Sequence, residues 1–293
     1  MDIAEVGRYW KHLRVPFQLL LSPLFLWGAF LSAAEPDARL WSGFVAFHGF
    51  LYTGITAYNS SYDRDEGPVG GMLRPPPVPT GLRTLAWVMM GIGTVLAACV
   101  ALPFLGIYLT IMAMGVAYSH PRVRWKAHPV ASALTVLIGQ GALGFLGGWV
   151  AAAGTLHTAW SDRGLWGMLS AAGTTLGMYP LTQIYQIEED MRRGDRTLTV
   201  VLGPAGALRL GQACLVCAAV CAVIVVARTM TAVDTMLIGG AYLLILWQVE
   251  RFTRDYQRGK HTGATAFRAV MRLNATVAAG FVLFIALHVL RRL

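Results

Sequence analysis

Long apolar runs broken by short polar loops dominate this chain and predict an all-α, polytopic membrane protein. Runs near the ~20 residues that cross a hydrocarbon core fall at 15–33, 40–58, 84–102, 104–118, 129–152, 165–184, 205–227, 235–249 and 269–290. The pattern therefore predicts nine transmembrane helices. The fourth and eighth runs are short and need a tilt, a kink or an extension into their flanks. Pro103 alone separates the third from the fourth, a tight turn that suits an antiparallel pair. The first run follows Arg8, Lys11 and Arg14 as a signal peptide would, but its length and the many runs after it predict a retained helix.

Composition agrees with that reading. Hydrophobic residues make up 56% of the chain and charged residues 13%, against about 25% charged in soluble domains. One soluble core could not hide so much apolar surface, whereas lipid can. The net charge of +9 raises nucleic acid as a partner. The basic residues, however, sit in short loops between apolar runs and form no basic face or arm, so anchoring at an anionic leaflet explains them and nucleic acid is not expected. The N-terminus and the loops after runs two, four, six and eight hold nineteen of the 24 Lys and Arg residues. The opposite face holds Arg39, Arg163, Arg228, Arg291 and Arg292. This asymmetry predicts a cytoplasmic N-terminus and four cytoplasmic loops, an alternation that requires an odd number of spans.

The acidic residues add a site. Seven of fifteen lie in two short segments on the cytoplasmic side: Asp63, Asp65 and Glu66, then Glu188, Glu189, Asp190 and Asp195. Solubility does not require carboxylates there, and their clustering points to a bound cation. The two segments also resemble each other. Tyr58-Asn59-x-x-x-Asp63-x-x-x-Gly67 aligns with Tyr185-Gln186-x-x-x-Asp190-x-x-x-Gly194. An amide and a carboxylate four residues apart share a helix face, so two such pairs from two related halves of one domain (1–293, halves about 1–128 and 129–293) would converge on one site.

Mg²⁺ takes oxygen ligands, keeps several waters and accepts one or two carboxylates plus substrate phosphates. Asn59, Asp63 and Asp190 supply such oxygens, and Arg64, Arg74, Arg124, Lys126, Arg192, Arg193 and Arg196 are candidates to clamp phosphates. With leaving-group charge neutralised, an allylic carbon–oxygen bond can break. The resulting cation needs a dry pocket with aromatic faces. Tyr52, Tyr58, Trp149, Tyr179 and Tyr185 lie in runs that end near the acidic segments, although interface anchoring or packing explains any one of them equally well.

Three motifs in order carry a resemblance to a known family. They are Asn59-Ser-Ser-Tyr-Asp63-Arg64-Asp65-Glu66 with Arg74-Pro-Pro-Pro77, then Tyr118-Ser119-His-Pro121-Arg-Val-Arg124-Trp-Lys126. The third is Gln186-Ile-Glu-Glu-Asp190-Met-Arg-Arg-Gly194-Asp-Arg196-Thr197-Leu198. Together they resemble the UbiA superfamily of intramembrane prenyltransferases over nearly the whole chain. The resemblance implies helices around a central cavity capped by cytoplasmic loops, with Mg²⁺ and an isoprenyl diphosphate held by two Asp-rich motifs. The prenyl group would go to an aromatic or lipid acceptor that the sequence does not name. Asn59, Asp63 and Asp190 match metal and diphosphate residues of the family, and Arg124 and Lys126 match its basic clamp, with Tyr118 and Tyr185 alongside. Ser60, Gly67 and Gln186 stand where the family carries Asp. Asp65 or Glu66 would compensate in the first motif, and Glu189 or Asp195 in the second.

Two alternatives stay open at this stage: a terpene cyclase on the same scaffold, acting without an acceptor, and a lipid-diphosphate binder or transporter. No run has a charged residue at mid-depth, which speaks against a transporter. His48 lies roughly 16 Å below Asn59 along its helix and is read as a packing residue or a base at the cavity bottom. Cys214, Cys217 and Cys221 share a helix face and are read as small apolar packing. The run Arg251, Arg254, Arg258 and Lys260 is read as a solvated or headgroup-facing surface.

Overall fold

The computed structural model describes residues 3–291. A short amphipathic helix, α1 (Ile3–Leu13), precedes α2 (Val15–Ser32). The second span is one helical run in three pieces: α3 (Ala38–Phe44), a π-helical stretch (Val45–Leu51) and α4 (Tyr52–Asp63). Then come α5 (Leu82–Val100) and α6 (Leu102–Ser119). The fifth span is again interrupted, as α7 (Pro129–Leu134), a π-helical stretch (Thr135–Ala142) and α8 (Leu143–Ala153). The remainder is α9 (Asp162–Ile184), the short α10 (Ile187–Arg193), α11 (Leu198–Thr229), α12 (Ala232–Gln257) and α13 (Gly263–Leu290). Among the described residues no strand forms, beyond an isolated bridge between Val69 and Met72.

Each of the nine expected spans coincides with a helical run among the described residues. The two judged short are not: α6 has 18 residues and α12 has 26. Seven helical stretches are long and apolar enough to cross a membrane. The runs 38–63 and 162–184 are not among the seven, and packing explains why. Helix α9 is buried along most of its length and lies among α2, α8, α11 and α13. Its polar groups are satisfied by protein: Trp27 Nε1 donates to Ser170 Oγ at 3.0 Å, and Thr174 Oγ1 meets Tyr242 OH at 2.7 Å. A helix walled off from lipid needs no apolar surface of its own. The protein is an integral, multi-pass membrane protein.

Local signals set the element ends. Asp37 caps α3 by accepting from Arg39 N and Leu40 N, and Thr231 with Asp234 forms a capping box on α12. The seventh span begins at Leu198 instead of 205, but its helix is broken at Gly203 (φ 67°) just before Pro204. The expected boundary lies at that break. Helices α2 and α8 cross where Gly28 faces the Phe145 carbonyl and Gly148 faces the Phe25 carbonyl, so a methyl at either would overlap the oxygen. At the end of the bundle away from the acidic motifs, Arg228 pairs with Asp162 at 3.0 Å and Arg291 pairs with Asp234. Arg292, expected on that face, lies outside the described residues.

Candidate active site

The helices enclose a cavity of about 320 Å³ whose mouth is charged and whose depth is mostly apolar. Asn59, Asp63, Asp65, Tyr118, Lys126, Tyr185, Gln186, Asp190, Arg193 and Asp195 all line it. Both acidic motifs therefore meet at one opening. Deeper walls come from Leu20, Leu21, Leu24, Trp27, Ile111, Met114, Val277 and Phe281.

Asp63 ends α4, and Arg64 in the left-handed conformation (φ 48°) turns the chain away immediately after it. The helix thus delivers Asn59 and Asp63 on one face, and Asn59 Nδ2 donates to Asp63 Oδ2 at 2.6 Å and to Ser119 Oγ at 3.0 Å. Lys126 Nζ lies 2.5 Å from Asp63 Oδ1 and Arg124 Nη1 lies 3.8 Å from it. Oδ1 is buried, and these two cations are its contacts. Arg124 also grips Asp195, with Nε 3.0 Å from Oδ1 and Nη2 2.8 Å from Oδ2. That fork raises the Arg124 pKa and ties the second motif to the first. Asp65 accepts from Arg193 Nη1 at 2.9 Å. Asp190 keeps one bond, from Thr197 Oγ1 at 3.2 Å, and burial pushes its carboxyl up to about 6.

The two motifs do not share one backbone geometry. Asn59 and Asp63 belong to one unbroken helix, whereas α9 ends at Ile184 and Gln186 caps the separate helix α10. Glu189 does not line the cavity. It turns to the cap loop, accepting from Glu66 N at 3.2 Å and Gly67 N at 3.3 Å and pairing with Arg193. A methyl at Gly67 would lie 2.8 Å from Glu189 Oε2. The carboxylate beside position 67 therefore comes from the other motif, and neither Asp65 nor Glu66 fills that place. Glu66 is exposed and outside the lining, as are Arg64, Arg74, Arg192 and Arg196. Among the described residues no three His, Cys, Asp or Glu side chains form a ready-made metal cluster. Of the eight expected metal ligands, Asn59, Asp63, Asp65, Gln186, Asp190 and Asp195 line the cavity, and Glu66 and Glu189 do not.

Of the aromatic candidates, Tyr52, Tyr179 and Tyr185 line the cavity. Tyr58 packs on Tyr62 and Trp87, and Trp149 Nε1 donates to Thr158 near the far end. His48 lies outside the lining, between Phe25, Phe44 and Tyr52, with both ring nitrogens unpartnered. One cavity residue was hidden in the sequence. Arg14 counted there only as flanking charge, yet it is buried and lines the mouth, with Nη2 donating to Ser60 Oγ at 2.8 Å and Nε lacking a partner. Arg14 is the N-cap of α2 and takes a left-handed backbone (φ 51°), a conformation no sequence signal announces.

A family model described as the UbiA prenyltransferase family matches residues 21–275. A stretch of 148 residues is 28% identical to protoheme IX farnesyltransferase of Aeropyrum pernix, covering 49% of this chain and 49% of that protein. The chain thus spans about half the length of the curated relative it matches. A solved apo structure of a UbiA homolog from Aeropyrum pernix K1 shares the fold with a TM-score of 0.69 and 20% identity, over 92% of this chain and 98% of that one. A UbiA homolog from Archaeoglobus fulgidus bound to GPP and Mg²⁺ gives 0.66 and 19%, over 95% and 99%.

Proposed function

Since the chain belongs to the UbiA prenyltransferase family, we propose that it moves an isoprenyl group from an isoprenyl diphosphate to a hydrophobic acceptor within the membrane. The carrying observation is a charged mouth with two acidic motifs and a basic clamp, set directly above an apolar cavity. A diphosphate fits the mouth and a prenyl chain fits the depth.

The residues also fit Mg²⁺, which the Archaeoglobus fulgidus homolog is described as binding together with GPP. Asn59, Asp63 and Asp190 would hold it, Asp63 Oδ1 being a buried oxygen held by ion pairs to Lys126 and Arg124, and substrate oxygens and waters would complete the shell. When bound, Mg²⁺ neutralises charge on the leaving diphosphate. Lys126, Arg193 and Arg14 face the same mouth and supply cationic donors to phosphate oxygens. The carbon–oxygen bond then breaks with its electron pair leaving on the diphosphate. Tyr52, Tyr118, Tyr179 and Tyr185 line the cavity, where aromatic rings would stabilise the allylic cation. Arg124 acts through others, holding Asp195 and Asp63 in place.

The charge asymmetry supports a cytoplasmic mouth and N-terminus, which would receive soluble diphosphates directly. The deciding experiment incubates purified protein with C10, C15 and C20 diphosphates, with and without Mg²⁺ and lipid extract. Prenylated lipid or aromatic product that disappears in Asp63→Asn and Asp190→Asn supports the reading. A hydrocarbon formed without any acceptor reassigns the scaffold to terpene cyclisation.

A further inference from the structure

The cavity is not uniformly apolar below its mouth. Every charged residue of its lining lies at the mouth, at a span end, in a connecting segment or on the short α10: Arg14, Asp63, Asp65, Lys126, Asp190, Arg193 and Asp195. Within the spans the polar lining is uncharged; α4 and α6 supply Tyr52, Thr56, Asn59, Tyr118 and Ser119, and four other elements also contribute. Gln18 sits on α2, Gln140 on the π-helical stretch of span five, Asn274 on α13, and Thr174 and Thr175 on α9.

Their hydrogen bonds show what remains free. Both threonine hydroxyls donate to the carbonyl four residues back or meet Tyr242, so they offer lone pairs only. Gln18 uses its Nε2 on Thr56 Oγ1 at 3.2 Å. Asn274 uses one N–H on the Val270 carbonyl at 3.1 Å, leaving its oxygen and second N–H. The Gln140 side chain makes no hydrogen bond among the described residues. An amide with no protein partner at membrane depth costs free energy unless water or a ligand satisfies it. The π turn, which shifts side chains relative to a regular helix, brings Gly139 and Gln140 to the cavity. A packed hydrocarbon tail uses none of these groups.

We propose that this neutral belt, centred on Gln140 and Asn274, is the acceptor subsite, and that the acceptor is an uncharged molecule carrying hydroxyl or carbonyl oxygens. The inference rests on the prenyl-transfer reading and names the second substrate of that site. A carboxylated acceptor seated in the belt would bury an anion with no cation in reach. At the mouth it would compete with the diphosphate for the same Arg and Lys donors. In the transfer, the acceptor's oxygen or ring carbon supplies the electron pair for the new bond to the prenyl carbon, the carbon–oxygen bond to diphosphate breaks, and the acceptor's proton passes to the released diphosphate.

The test uses full-length protein, one prenyl diphosphate and two phenols of similar size, neutral 4-hydroxyacetophenone and anionic 4-hydroxyphenylacetate. Wild type is expected to prenylate the neutral phenol with kcat/KM at least tenfold higher. Gln140→Leu and Asn274→Leu are expected to raise KM for that phenol tenfold or more while KM for the prenyl diphosphate stays within twofold. Preference for the carboxylate, an unchanged acceptor KM in both variants, or parallel losses for both substrates would each overturn the assignment. Diphosphate release by wild type, followed separately, tells the two readings apart. If release persists while the acceptor pattern is wrong, only the subsite fails; if no prenyl diphosphate is ever cleaved, the transfer reading and the subsite fall together. Should the variants not fold, the wild-type comparison of the two phenols still decides.

Discussion

Replacing Glu189, which does not itself line the cavity, by Gln should loosen the cap loop. Its carboxylate is acceptor-only, and three donors converge on it: Glu66 N, Gly67 N and the Arg193 guanidinium. Glutamine keeps the shape but presents an NH₂ where one donor already points. At least one backbone N–H then loses its partner and faces another donor. Hydrogen bonds to charged groups contribute about 1.5–3 kcal/mol. The backbone bonds here are long, at 3.2 and 3.3 Å, which argues for the lower end, while 9% exposure limits screening. A loss of about 2 kcal/mol would shift the closed loop's population roughly 30-fold. Val69 and Gly70 of this loop line the cavity, and Asp65 shares Arg193 with Glu189. KM for the prenyl diphosphate should therefore rise by about tenfold or more, with faster amide exchange across 66–72. Hydrogen exchange and steady-state kinetics on the same preparation read both effects. If exchange and KM both stay within twofold of wild type, the carboxylate is not what holds the loop.

Three further outcomes follow from other parts of the molecule. Trp27, buried on the cavity wall against Phe281 and tethered to Ser170, should limit chain length, so Trp27→Ala should move the kcat/KM order toward longer prenyl diphosphates; an unchanged order across C10, C15 and C20 refutes this. Burial holds Asp190 at about 6 against an ordinary 3.8, so metal-free protein should gain stability as pH falls through that window. Mg²⁺ must displace the proton, so its apparent affinity should weaken about tenfold per pH unit below about pH 6; thermal melts with and without Mg²⁺ measure both, and Asp190→Asn should flatten the slope. Reporters fused after Lys126 or Gly194 should read cytoplasmic and one near Asp162 external, and an external Gly194 signal would invert the proposed orientation.

The sequence alone determined the class of the protein, the helical runs and the end of the bundle that carries the chemistry. Those are properties of composition and local order: apolar length sets a span, and motif spacing places Asn59 and Asp63 on one helix face. The pairing of carboxylates and cations was decided only by the tertiary structure, because it depends on which helix ends meet. Glu189 was indistinguishable by type from a metal ligand, yet the fold aims it at the amides of residues 66 and 67. Gly67, read as a missing Asp, has that Glu189 oxygen in the space beside it. Arg14 looked like membrane-flanking charge until a left-handed turn carried it into the mouth. The runs 38–63 and 162–184 needed packing to explain why helices with so many polar groups sit in a membrane: neighbouring helices replace lipid around them. Polarity along a chain shows what each residue can tolerate, but only long-range contacts decide whether it faces lipid, protein, a ligand or another charge.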